Sequence, residues 1–169
     1  MEQKGAHKRE LLTLVRVISF FKQIRHQEST ESLGFYFVNN LYNILPYRQC
    51  VLWCIRDKKI RIVSASGQVS VTENAPLTQF IKKFIRQSLK KKYLLSPEEI
   101  QAHVEENGYA QIQEIDLEDR QGFSESEVSE YISSHMFQIF LYDNNNVIGG
   151  VWLSRSAGLG AMEKALLED

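Results

Sequence analysis

The chain is 169 residues long, which at about 150 residues per domain makes one domain with appended helices. Hydrophobic residues at 43% and charged residues at 24% exclude a disordered chain. With 20 basic against 21 acidic side chains, a formal net charge of −1, bulk charge gives no argument for nucleic acid or a membrane surface.

The first helix is predicted over residues 6–25, with Leu11, Leu14, Val15, Ile18 and Phe21 at the spacing of one face. Leu12, Val17, Phe20 and Ile24 form a second apolar line, a wider arc than a surface helix normally carries. One line is expected to pack on the domain and the other on a partner helix, so a homodimer through the terminal helices is expected. The run over 11–21 follows Lys8 and Arg9, but Arg16 interrupts it and no small-residue cleavage site follows. It is also too short for a bilayer core of about 30 Å, so no membrane insertion within the chain is expected.

Ser29 or Thr30 begins the next helix, with a cap but no reciprocal box because Leu33 stands three residues after Thr30. Leu33, Phe37, Asn40, Leu41 and Ile44 mark one face, with Phe35, Val38 and Tyr42 nearby, and Pro46 stops the helix. QCVLWCIR, residues 49–56, is continuously apolar and predicts a central strand covered on both faces: Cys50, Leu52 and Cys54 point one way, Val51, Trp53 and Ile55 the other. Cys50 and Cys54 would then lie about 13 Å apart, too far to bond each other. Two unbonded thiols in an apolar strand suit a reducing compartment, so a cytoplasmic location is expected. Asp57, Lys58 and Lys59 connect to a second strand over 60–66, making an antiparallel hairpin that Gly67 ends.

Pro76 opens a third helix whose Phe80, Ile81, Phe84, Ile85 and Leu89 recur at helical spacing up to Lys90, Lys91 and Lys92. Ser96, Pro97, Glu98 and Glu99 supply the cap and acidic first turn of a fourth, ending near Asn107 and Gly108. A short strand is predicted over 111–117, then an acidic surface loop over 118–134 with at most a helical turn at 127–132. Strands over 136–142 and 147–153 make a second hairpin around Asp143, Asn144, Asn145 and Asn146. A last helix begins near Gly160 and is expected to be cut in mid-helix. The divisions are therefore an N-terminal helix, 1–28, a domain, 29–160, and an exit helix, 161–169.

Charge is uneven. Residues 1–95 hold 17 basic and 6 acidic side chains and residues 96–169 hold 3 and 15. The halves are expected to interleave in one sheet and partly neutralise each other. The cluster Lys82, Lys83, Arg86, Lys90, Lys91 and Lys92 has no interleaved exposed aromatics, so no nucleic-acid partner is expected.

No phosphate loop, dinucleotide fingerprint, H-E-x-x-H or G-x-S-x-G occurs, and His7, His26, His103 and His135 are scattered singly, so no metal site and no catalytic residues are assigned. The run from Arg155 through Gly158 to Gly160, R-x-x-G-x-G after a strand, resembles the pyrophosphate loop of acetyl-CoA-dependent N-acetyltransferases. A degenerate acyl-CoA-binding protein is the reading it implies, although only nine residues follow Gly160.

The segments L-P-Y-R-Q-C-V-L-W-C-I-R, I-V-S-A-S-G, N-A-P-L and V-I-G-G-V-W-L-S-R together resemble a GAF domain over residues 30–169. More narrowly they resemble the GAF-like segment at the N-terminus of bacterial hemolysin-D-type membrane-fusion proteins. The resemblance implies an α+β fold of GAF/PAS type: a central antiparallel sheet of five to six strands, terminal helices on one face and a helical insertion on the other. It implies a non-catalytic sensory, regulatory or interaction module, the cytoplasmic part of a secretion or efflux adaptor. The alternative is an assembly module with no small ligand. The N-K-x-F-D-E signature of cyclic-nucleotide-binding members is missing, and the cysteines are not placed for a bilin. A haem-binding member needs an axial histidine, for which His103 and His135 are the candidates. No cofactor is assigned. Trp53, Phe80, Phe84 and Tyr109 are the candidates for lining a pocket.

Overall fold

Asp57 and Lys58 both adopt left-handed backbone, φ 53° and 58°, and form the two-residue turn that joins β1 (Gln49–Arg56) to β2 (Lys59–Ala65). Such turns match the right-handed twist of the strands they join, and Asp tolerates that region better than most residues. The computed structural model describes residues 2–90, 94–115, 122–143 and 146–168. The remaining strands are β3 (Ala110–Glu114), β4 (His135–Asp143) and β5 (Asn146–Arg155). The helices are α1 (Glu2–Ile24), α2 (Thr30–Asn40), α3 (Pro76–Ser88), α4 (Pro97–Asn107), α5 (Glu125–Tyr131) and α6 (Ala161–Glu168), with a 3-10 turn at Leu41–Asn43. Lys91, Lys92, Asp116 to Gln121, Asn144 and Asn145 lie outside the described residues.

The five strands form one antiparallel sheet in the order β2-β1-β5-β4-β3. β1 is an interior strand, as its unbroken apolar sequence predicts, and the two hairpins are neighbours through the β1–β5 pairing. Alternation along β1 sends its side chains to opposite layers. Val51 and Trp53 join α3 and α4 residues such as Ile81, Ile85 and Ile100, and Cys50 and Leu52 join Phe20, Val38 and Leu41 under α1 and α2. Leu159 and Leu167 add α6 to that second layer. The terminal helices thus cover one face and the inserted helices the other, the α+β arrangement that the sequence implies.

Three local expectations are corrected. α2 carries a full capping box after all, built from Ser29 and Ser32 instead of a Glu or Gln, since a serine hydroxyl can both donate and accept. The acidic loop contains a seven-residue helix, α5, started by the reciprocal pair Ser124 and Glu127. The strand predicted over 111–117 is β3, with Ala110 as its first residue and Glu114 as its last.

The quoted motifs turn out to be structural. Tyr47 donates its hydroxyl to the Val38 carbonyl, Arg48 Nη2 reaches Glu130 O at 2.7 Å, and Gln49 Nε2 donates to Ser66 O at 2.9 Å. The L-P-Y-R-Q entry therefore ties β1 to α2, to α5 and to the end of β2. In V-I-G-G-V-W-L, a Cβ at Gly150 would stand 2.1 Å from Ile139 O and 2.8 Å from Trp53 Cζ2. Glycine there lets the Trp53 indole lie across β5.

Candidate functional site

The sheet face beneath α3 and α5 gathers most of the residues that the sequence singles out. Strand register places Val51, Trp152, Gln138 and Gln113 in one row and Trp53, Gly150, Phe140 and Gln111 in the next. Trp53 meets Phe140 edge-on, with ring centroids 6.5 Å apart. Phe80 and Phe84 of α3 cap Trp152 at 6.4 and 6.0 Å, and Phe80 also meets Phe123 and Tyr131 at 5.2 and 5.0 Å. The structure therefore brings Trp53, Phe80 and Phe84 together in one aromatic core.

Tyr109 does not join them. Gly108, at φ 82°, ends α4 and turns the chain into β3, and Tyr109 stands 67% exposed on the terminal-helix side. There it lines a groove of ≈ 410 Å³ with residues of α1, α2 and the sheet.

Sequence reasoning missed several members of this face, Gln138 and Trp152 among them. Gln138 is 0% exposed, and among the described residues neither its amide nitrogen nor its amide oxygen has a hydrogen-bond partner, nor do Trp152 Nε1 and Trp53 Nε1. Buried polar groups are nearly always bonded, so four such atoms on one sheet face set it apart from an ordinary apolar core. The available signal was a lone glutamine in the middle of M-F-Q-I-F-L-Y. Tyr142, on the same face, donates its hydroxyl to Gln111 Oε1, and burial raises its pKa.

The Arg155 loop has a different character. Arg155 is 5% exposed, and its Nη2 and Nη1 donate to the Glu163 carboxylate at 3.0 and 3.2 Å. The Gly160 amide donates to the same carboxylate at 2.8 Å. The groups that would cradle a pyrophosphate are thus occupied by a side chain of α6. Burial alone would raise the Glu163 pKa, but the Arg155 and Gly160 hydrogen bonds outweigh it and the net direction is down.

The basic cluster on α3 is divided. Lys82 is buried with its ammonium on Glu73, which also faces Arg61 at 3.8 Å, and Lys82 holds the Glu73 carboxyl below its ordinary range. Lys83 pairs with Glu127 at 3.2 Å and lies over the Phe123 ring. His103 Nε2 bonds Ala110 O at 2.8 Å, and His135 Nδ1 bonds Glu114 at 2.7 Å while stacking on Phe137. Cys50 and Cys54 are unbonded thiols, and burial pushes the Cys50 pKa up, so that thiol stays protonated. Among the described residues no group of His, Cys, Asp and Glu is arranged to hold a metal ion. No described helix is long and apolar enough to cross a membrane.

No family model matches the chain, and no curated protein matches it. Among solved structures it is similar to residues 122 to 287 of a methyl-accepting chemotaxis protein, with a TM-score of 0.51, 11% identity and 91% of each chain covered. It is also similar to the GAF domain of the cyanobacteriochrome TePixJ, at a TM-score of 0.49, 11% identity and 86% of each chain. The fold is α+β, a five-stranded antiparallel sheet flanked by helices.

Proposed function

We propose that the chain is a non-catalytic sensory or regulatory module of GAF type that acts as a homodimer through its terminal helices. The observation that carries this reading is the division of α1 into two apolar lines. Phe20 is 6% exposed and packs against Tyr36 and Phe37, whereas Leu14, Val15 and Ile18 remain 55%, 61% and 59% exposed. An exposed apolar line of this length gains about 25 cal/mol per Å² when a second copy covers it. A ligand or partner then acts by favouring one arrangement of the helices over another. The likeness to residues 122 to 287 of a methyl-accepting chemotaxis protein supports the sensory reading. We place the module in the cytoplasm as part of a secretion or efflux adaptor, on the L-P-Y-R-Q and G-G-V-W-L resemblance. A hydrophobic span after Asp169 in the full gene product is the expected companion.

Light scattering on gel-filtration fractions tests the dimer. The chain should run at twice its monomer mass and Ile18→Glu at the monomer mass; a monomeric parent at high micromolar concentration ends the proposal. The second reading, an assembly module without a small ligand, is favoured by the close packing of Phe80, Phe84 and Trp152. Thermal shift against cyclic GMP, haem and biliverdin separates the two. A stabilising shift supports the sensor, and silence supports assembly.

A further inference from the structure

The groove on the terminal-helix face is lined from α1, α2 and α6 as well as from the sheet. α2 packs over β1 and β2, α6 packs over β3, and α1 leans on α2. The middle of the sheet, at Leu52, Ile139 and Val151, is left as the floor of the ≈ 410 Å³ trough, with Phe37 on one wall and Leu167 on the other. None of its described lining residues is charged. A recess of this size and lining suits an apolar ligand, because each methylene that enters leaves water for an apolar wall.

A neighbouring recess has another character. Phe21 lines the trough and also a separate shallow recess on the surface of α1 formed with Val17, Ile18, Lys22, Arg25 and His26. Residues 11–27 hold Arg16, Lys22 and Arg25 and no acidic residue, and Lys22 and Arg25 are exposed. A hydrocarbon alone would ignore that cationic rim. A molecule with an apolar tail and one carboxylate uses both parts, by burial along the floor and by charge complementarity in the adjoining recess past Phe21. We propose that this face binds a medium-chain fatty acid, its alkyl chain on Leu52, Ile139 and Val151 and its carboxylate at Lys22 and Arg25. The site lies across the sheet from the aromatic core, so it stands or falls independently of any ligand there.

The test uses the full chain with decanoate and n-decanol, read by calorimetric titration and by thermal shift. Decanoate should bind with a micromolar dissociation constant and raise the melting temperature by a few degrees. Leu33→Trp, which fills the trough from α2, should weaken decanoate by about tenfold or more while the unliganded protein keeps its melting temperature. Lys22→Glu with Arg25→Glu should weaken decanoate by about tenfold and leave decanol within about twofold. The proposal is overturned by no decanoate response up to about 1 mM, or by a response that Leu33→Trp leaves intact. It is equally overturned if Leu33→Trp changes the oligomeric mass with no effect on decanoate, which assigns the trough to a second copy. Binding to phosphatidylglycerol vesicles that Leu33→Trp does not alter, in place of decanoate binding, would assign the rim to a membrane surface and also overturn it.

Discussion

Gln138 stands between Phe137 and Ile139 on β4 with its amide enclosed on the aromatic side of the sheet and both polar atoms unpartnered among the described residues. Leaving a buried polar group unbonded costs about 1–3 kcal/mol, whereas an apolar side chain of the same length removes that cost. Gln138→Met is therefore expected to stabilise the protein by about 1 kcal/mol or more, seen as a higher urea midpoint with an unchanged slope. A lower midpoint would show that the amide is bonded in solution and belongs to the fold. Legibility at this scale followed chemistry. The faces of β1 could be assigned because alternation is geometric, and Phe80 and Phe84 could be set on one helix face because they recur at helical spacing, whereas Trp53 joined them only through the pocket that the resemblance implies. Tyr109 was misgrouped because the turn at Gly108 decides its side of the sheet, and no periodicity runs through a turn. Gln138 was passed over because a single polar residue does not disturb an apolar strand pattern, although its burial gives it the most weight.

Among the elements, the helices were legible through their stop and start chemistry. Ser96 with Glu99 bounds α4 and Pro76 opens α3, while α5 reads as no more than a helical turn because its own cap, Ser124 with Glu127, sits inside a polar run without an apolar stripe. The attachment of α6 was not legible, since nothing in R-x-x-G-x-G says that the anion it holds is Glu163. That attachment has a pH signature. The Glu163 carboxyl is held below its ordinary range when folded and returns to about 4.3 when unfolded, so its stabilisation is fully present above that value. It is lost as pH falls through the lower folded value. Glu163→Gln should lower stability at pH 7 by about 2 kcal/mol, less than for a fully enclosed pair because Glu163 keeps 30% of its side-chain surface. The variant should also show a smaller fall in urea midpoint between neutral pH and about pH 3 than the parent does. Equal acid slopes in the two proteins would remove the Arg155–Glu163 pair as the tie between β5 and α6.

Across the whole molecule, the order β2-β1-β5-β4-β3 settles what becomes of the uneven charge. The expectation that the two halves interleave is corrected: β1 and β2 lie on one side, β3, β4 and β5 on the other, and the halves meet at the single β1–β5 seam. Among the ion pairs of described residues, Lys83–Glu127 crosses between the halves, while Glu73 with Arg61 and Lys82, His135 with Glu114, and Arg155 with Glu163 stay within them. One sheet edge therefore carries Lys58, Lys59 and Arg61, and the other carries Glu114 and follows α4 with Glu98, Glu99 and Glu105. A net charge of −1 conceals this separation. Retention on a charged resin depends on the local field within a screening length of about 10 Å at 0.1 M salt, not on the total. At pH 7 and about 0.01 M salt the protein should bind both a cation and an anion exchanger and leave both as salt approaches about 0.3 M. The triple change Lys58→Glu, Lys59→Glu, Arg61→Glu should abolish retention on the cation exchanger and delay elution from the anion exchanger. All three residues are exposed, so the fold should survive the change. Passage of the parent straight through the cation exchanger at low salt would mean that the two halves neutralise each other locally, against the side-by-side placement set by the sheet order.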